Sequence, residues 1–120
     1  MKHTNDFAEI AQIFTVIAKA EESAKNYESA YAEHRKLSEQ FNGIYSEQRE
    51  IADAMIAKWD EVEKFDKKFR KYAKQVIELM ELNSENYEEE SSCKTDIYNW
   101  RRWVYSTKYL AMKLVSRVEI

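Results

Sequence analysis

Apolar side chains recur at helical spacing over two long stretches, Phe7 to Phe41 and Ile51 to Leu82, and over a third from about Ile97 to Val118. In the first, Phe7, Ile10, Ala11, Ile13, Phe14, Val16, Ile17, Ala18 and Ala20 cover an arc of roughly 220° at 100° per residue, too wide for one neighbour to bury. After Ala20 the stripe narrows to Ala24, Tyr27, Ala30, Tyr31, His34, Leu37 and Phe41, an arc of roughly 140°. The second stretch carries Ile51, Met55, Trp59, Val62, Phe65, Phe69, Tyr72, Val76 and Leu79, stepping alternately by three and four from Val62 onward. That is the seam of a coiled-coil-like pairing. The third arc, Ile97, Trp100, Trp103, Val104, Leu110, Ala111, Leu114, Val115 and Val118, spans roughly 140° and suits docking into a groove between two helices.

Between the first two stretches lies Asn42-Gly43, and Gly43 is the only glycine in a chain without proline. Glycine supplies the left-handed backbone that ends helices, Ile44 is placed for the accompanying apolar contact, and Ser46 can cap the second helix. These signals predict a bend rather than one continuous helix. The expected elements are helices over about 6–41, 46–82 and 96–118, with Asn5 or Asp6 capping the first and a polar connection over about 83–95. Ser92 and Thr95 are candidate caps for the last helix, and Asn86 followed by Glu89 allows an earlier start near Tyr87.

Folding the chain about Gly43 predicts facing residues whose numbers total 86. Phe7 then meets Leu79, Ile10 meets Val76, Phe14 meets Tyr72, Ile17 meets Phe69, Ala24 meets Val62, Tyr27 meets Trp59 and Tyr31 meets Met55. Glu21 opposite Phe65 is the one poor match. The third helix is expected to return from the end where the second finishes, alongside Val62 to Leu82. The fold class is therefore all-α: one domain over residues 1–120, an elongated antiparallel helical hairpin with a third helix packed on one end. Arms of about 36 residues run roughly 54 Å, well beyond the roughly 35 Å diameter of a compact 120-residue domain. A two-stranded tip is left over, and its Tyr27, Tyr31, Met55 and Trp59 form a candidate self-association stripe.

Composition narrows the function classes more than it names one. A net charge of −3, from 19 basic and 22 acidic residues, argues against a general polyanion binder and against a nucleic-acid mimic. Cys93 is the single cysteine, which excludes an intramolecular disulfide and fits a reducing compartment. The most apolar stretch, Phe7 to Ala20, is interrupted by Glu9, Gln12, Thr15 and Lys19 and is too short to span a bilayer. Little charge precedes it, so a secretory signal is not expected and the cytoplasm is the expected location.

Catalytic constellations are not legible. The two histidines are His3, at a position where backbone amides can chelate copper by chance, and His34, on the inner stripe beside the bend. No Glu-x-x-His, Cys-x-x-Cys, phosphate-binding glycine loop or nucleophile elbow occurs. The Glu88-Glu89-Glu90 run reads as a solvated turn. We read the chain as non-enzymatic, with no cofactor or metal expected.

The third helix carries the most specific signal. Opposite its apolar arc lie Tyr98, Tyr105, Tyr109 and Met112, flanked by Arg101, Arg102, Lys108 and Lys113, and from Lys94 to Val118 there are six basic residues and one acidic. Lys64, Lys67, Lys68, Arg70, Lys71 and Lys74 of the second helix are expected to extend this positive region. Tyrosine and arginine are enriched at binding hot spots, so Tyr98, Arg101, Arg102, Tyr105, Tyr109 and Met112 are the candidate partner-binding residues. The expected function is stoichiometric binding to another protein by an oligomeric scaffold, as in small phage- or mobile-element-type inhibitors, immunity-type proteins and assembly chaperones. The alternatives are a nucleic-acid-binding protein using the third helix and a self-assembling structural subunit.

Overall fold

A computed structural model of the chain describes residues 7–83 and 95–116. The caps proposed at Asn5, Asp6, Asn86 and Ser92, together with His3, Glu88 to Glu90, Cys93, Lys94 and Val118, lie outside the described residues. Two long helices, α1 (Phe7–Gln40) and α2 (Arg49–Asn83), pack as a hairpin; a 3-10 turn (Ile97–Asn99) leads into α3 (Trp100–Val115), which packs on one end. No strand occurs among the described residues. The principal extents are 66 × 24 × 20 Å, with a radius of gyration of 18.9 Å. A compact chain of this length has a radius near 14 Å, so the elongation inferred from arm length holds. No helix among the described residues is long and apolar enough to cross a membrane.

Gly43 takes the left-handed backbone its sequence position implies, at φ 88°, but it lies in the loop three residues past the end of α1 rather than at the loop's midpoint. The Asn42 side chain accepts from the Ile44 amide at 2.9 Å, the Asn42 amide donates to the Gln48 side chain, and Gln48 Nε2 donates to the Gln40 carbonyl at 3.2 Å. The Gln48 carbonyl accepts the first helical bond of α2, from Ala52 at 3.0 Å, so α2 begins after Gln48 and Ser46 lies within the loop. Ile44 stays exposed rather than covering the cap.

A loop centred nearer Tyr45 changes the register. Lys19 lies over Tyr72, Glu33 pairs with Lys58, and Tyr31 and His34 both meet Trp59, partners whose numbers total 90 to 93 rather than 86. The mismatch at Glu21 disappears with it, because Glu21 turns toward α3 and accepts from Lys108 at 3.0 Å.

The core sits where three helices overlap. Ile10, Ile13, Val16, Ile17, Ala20 and Ala24 of α1 share one buried cluster with Phe69, Ala73, Val76 and Met80 of α2. Ile97, Trp100, Trp103, Val104, Leu110, Ala111 and Leu114 complete it, as the third apolar arc implied, with Thr107 buried and Val115 exposed. On α1 the buried arc is narrower than expected, since Phe7, Ala11 and Ala18 remain exposed. Small residues at Ala20, Ala24 and Ala73 leave room for Phe69 and Trp103, whose rings meet edge to face at 5.6 Å. Such aromatic geometry adds about 0.5–1.5 kcal/mol beyond burial.

The direction of α3 departs from expectation. Glu28 receives Trp100 and Arg101, whereas Glu21, nearly two turns earlier in α1, receives Lys108. Thus α3 runs antiparallel to α1 and parallel to α2, starting partway along the hairpin instead of returning from its end. The expected direction assumed a short bridge between adjacent helix ends. Phe69, beside Trp103, lies about 21 Å before the end of α2, a distance within the reach of residues 84–94 at about 3.3 Å each. The 3-10 turn that leads into α3 is capped by Asp96 rather than by the candidate Thr95, the Asp96 carboxylate accepting from the Asn99 amide at 2.9 Å.

One consequence concerns the bend alone. A Cβ on Gly43 would meet no heavy atom within 4 Å, so strain at a substituted Gly43 is backbone strain, roughly 1–2 kcal/mol for a residue forced left-handed. Gly43→Val is expected to lower hydrogen-exchange protection of the tip amides while leaving those of Ile17 and Val76 nearly unchanged.

Candidate protein-binding surfaces

The outer face of α3 is built by helical spacing. Tyr98, Arg102, Tyr105, Tyr109 and Met112 follow one another by four, three, four and three residues, which places them along a single stripe. Tyr98 is 86 % exposed, Tyr105 78 %, Tyr109 59 % and Met112 64 %. A folded chain normally buries side chains of this size, and a contiguous row of them is the kind of surface that meets a partner.

Electrostatics along the stripe divide its flank in two. Arg101 reaches back to α1, donating through both terminal nitrogens to Glu28 at 2.8 Å while its guanidinium lies 4.7 Å from the Trp100 ring. The Trp100 indole donates to the same carboxylate at 2.8 Å. Lys108 is engaged by Glu21 at 3.0 Å. Two of the flanking cations therefore hold α3 in place. Arg102 lies within the exposed stripe, and Lys113 covers the Tyr109 ring at 4.9 Å. Of the residues read as partner-binding, Arg101 is the one whose charge is used inside the chain.

Lys68 and Lys71 of α2 do not extend this surface. Lys68 lies over Phe65, Lys71 and Lys19 over Tyr72, and Lys19, Ser23, Asn26, Phe65 and Lys68 line a common groove. At 100° per residue, Lys19, Ser23 and Asn26 stand on the side of α1 opposite Glu21 and Glu28. Arg70 is held by Asp66 within α2 at 2.6 Å. The positive region expected to run from α3 onto α2 is split between two faces.

Toward the tip the hairpin is two-stranded, and its buried positions shrink to Ala30, Ala52 and Val62. Tyr27 stacks on Tyr31 at 6.0 Å, Tyr31 tilts against Trp59 at 6.4 Å, and the His34 ring lies 5.1 Å from Trp59. Tyr31 and Trp59 are 44 % and 41 % exposed, and Tyr27 and Met55 are half-buried. Burial pushes the Tyr27 phenol above its ordinary value, with Tyr98, Asp66 and Tyr31 adding to the shift; Tyr27 thus joins the tip cluster to the start of α3. His34 packs on its inner stripe, as expected of a boundary residue.

Met55 and Trp59 open onto a groove that the sequence did not reveal. Phe41, Ala52, Ile56 and Tyr45 complete its apolar lining, and it encloses about 400 Å³. Carboxylates stand at its margin, one of them, Asp53, paired with Arg49 at 3.9 Å. Asp60 lines it directly, Tyr45 donates to Asp53 at 2.8 Å, and Trp59 donates to Glu63 at 2.9 Å. The hydrogen bond to Asp53 raises the Tyr45 phenol above its ordinary value. Ile56, 60 % exposed, sits one residue past the apolar seam; its spacing of four from Ala52 and three from Trp59 is the signal that could have flagged it. Among the described residues no group of three or more His, Cys, Asp or Glu is placed to hold a metal ion.

The Lys108 ammonium donates to Glu21 and holds its carboxyl below the ordinary value, against the opposing effect of partial burial. A depressed folded value means that Glu21 contributes stability above its unfolded value of 4.5, and that this is lost as pH falls through the folded value. Both partners are partly exposed, so the contribution is about 0.5–1 kcal/mol. Glu21→Gln is expected to flatten the acid limb of the thermal midpoint measured between about pH 3 and 7.

Compared with protein-family models, with curated proteins and with solved structures, the chain matches none.

Proposed function

We propose that the protein acts by stoichiometric, non-enzymatic binding to another protein through the outer face of α3. The observation that carries this is the stripe of Tyr98, Tyr105, Tyr109 and Met112, four large side chains left exposed on a helix whose opposite face is buried. Its docking mode is helix against groove, with large aromatic anchors supplying contact area and the flanking cations supplying orientation. Arg102 selects a partner surface bearing carboxylates, since charge complementarity sets specificity and encounter rate. An inhibitor or accessory protein of the phage or mobile-element kind, working in a reducing cytoplasm, fits a chain of this size with one cysteine. The nucleic-acid reading is second, because Lys68 lies in a groove on another face and Arg70 is held by Asp66, which narrows any phosphate track.

Affinity capture from the native cell compares the tagged protein with the Arg102→Glu/Tyr105→Glu variant, whose exposed positions leave the helical core intact. The expected result is a protein recovered near 1:1 with the parent chain and lost with the variant, both showing the same helicity by circular dichroism. Capture unchanged by the variant, or binding to random oligonucleotides that weakens steeply with salt, overturns the reading.

A further inference from the structure

We propose that a second copy of this chain occupies the tip groove, seating the outer face of its α3 there, so that copies associate head to tail. The proposal rests on reading that face as a protein-binding surface, and it names a partner for it.

The two surfaces match in chemistry. The groove is apolar along Phe41, Ala52, Met55, Ile56 and Trp59, and its margin carries Asp60 and Glu63, Asp53 beside them being paired with Arg49. The α3 face is apolar along Tyr105, Tyr109 and Met112, and its margin carries Arg102 and Lys113. One offers an apolar floor between carboxylates and the other an apolar ridge between cations, the charge arrangement that fixes register and rejects self-pairing of like surfaces.

They match in length as well. On α2 the groove runs from Ala52 to Trp59, roughly 11 Å at 1.5 Å per residue, and Tyr105 to Met112 spans the same distance on α3. Three interdigitating anchors on that span are the usual pattern of an amphipathic helix in a groove. Within one molecule the two surfaces cannot meet, since Glu28 and Glu21 fix α3 against the body while the groove lies beside the bend. The contact is heterologous, so each copy keeps one groove and one ridge for the next, and assembly continues until it closes or exhausts the supply. Three anchors of roughly 150–200 Å² each, incompletely buried, give an interface at the small end of the range for specific contacts, with association in the micromolar region. A foreign partner of α3 competes with this contact and dissolves the assembly.

Complementation between two single-surface variants tests it. Ile56→Glu blocks the groove and Tyr105→Glu blocks the ridge, both at exposed positions; circular dichroism checks that each remains folded. By sedimentation velocity at high concentration, the parent chain is expected to exceed dimer mass, and each variant alone to stay monomeric. An equimolar mixture should give a 1:1 dimer and nothing larger, because only one productive groove and ridge remain to pair. Dimerisation of Tyr105→Glu alone would show tip-to-tip association and overturn the proposal, as would a mixture that stays monomeric. A parent chain monomeric at all concentrations that still captures a foreign protein through Tyr105 removes the second copy as occupant and leaves the proposed function standing. Loss of both removes both.

Discussion

Truncation of Trp103 to alanine is expected to lower the unfolding free energy by about 3–5 kcal/mol, the largest single effect available in the chain. Trp103 is fully buried and is the largest such side chain in the core. It fills the space between the alanines of α1 and α2, with its ring edge on Phe69. With total stability of order 5–15 kcal/mol for a domain, the variant stands near the limit of folding. Trp103→Phe separates packing from polarity. The Trp103 indole nitrogen is buried without a hydrogen-bond partner among the described residues, so the smaller ring loses volume but also removes an unsatisfied donor, whose burial costs about 1–3 kcal/mol. The phenylalanine variant is expected within about 1.5 kcal/mol of the parent. Urea midpoints at constant slope measure both; equal losses for alanine and phenylalanine would show that the indole, not the volume, matters.

Loss of Glu28 ranks second, at about 2 kcal/mol for Glu28→Ala. Its carboxylate receives the Trp100 indole and both terminal nitrogens of Arg101. The two interactions differ in strength. Arg101 is largely exposed, and an exposed ion pair contributes under about 1 kcal/mol. Trp100 is 4 % exposed, and its N–H would be left without an acceptor. Arg101→Ala should therefore cost clearly less than Glu28→Ala, and a double-mutant cycle should return only a small Arg101–Glu28 coupling. Glu28→Gln, which keeps an acceptor for Trp100, should recover most of the loss. If Arg101→Ala matched Glu28→Ala, the ion pair rather than the indole would be the anchor.

The same anchor bears on how the binding face is probed. Arg101, read from sequence as a contact residue, spends its charge on Glu28 inside the chain, so its replacement mixes a structural effect with any effect on binding. Arg102 and Tyr105 change the outer surface alone.

Periodicity made the helices legible, because each must bury a stripe and the stripes could be read residue by residue. The arc from Ile97 to Leu114 went into the core as a unit. Register was less accessible, for it depended on where Asn42 and Gln48 stitch the loop, and side-chain bonds across six residues leave no periodic trace. The direction of α3 depended on two ion pairs spanning more than seventy positions, Glu28 with Arg101 and Glu21 with Lys108. Charges of that kind look in sequence like any solvated face. Of the candidate binding residues, Tyr98, Tyr105, Tyr109 and Met112 were visible as a second stripe on an amphipathic helix, whereas the tip groove was hidden. Ile56 belongs to no core seam, and Phe41 and Ala52 line one groove across the bend only in the shifted register.

The parallel course of α3 along α2 has a kinetic consequence. The α1–α2 hairpin can zip from its bend through pairs close in sequence, beginning beside the groove that Phe41 and Ala52 both line. Seating α3 on Glu28 follows, because that contact joins residues more than seventy positions apart in sequence and becomes short-ranged only once the hairpin has formed. Until then Trp100 and Trp103 stay in water. Refolding followed by tryptophan fluorescence should lag behind helix formation followed by circular dichroism, and the interval between the two signals is the lifetime of a hairpin still waiting for its third helix.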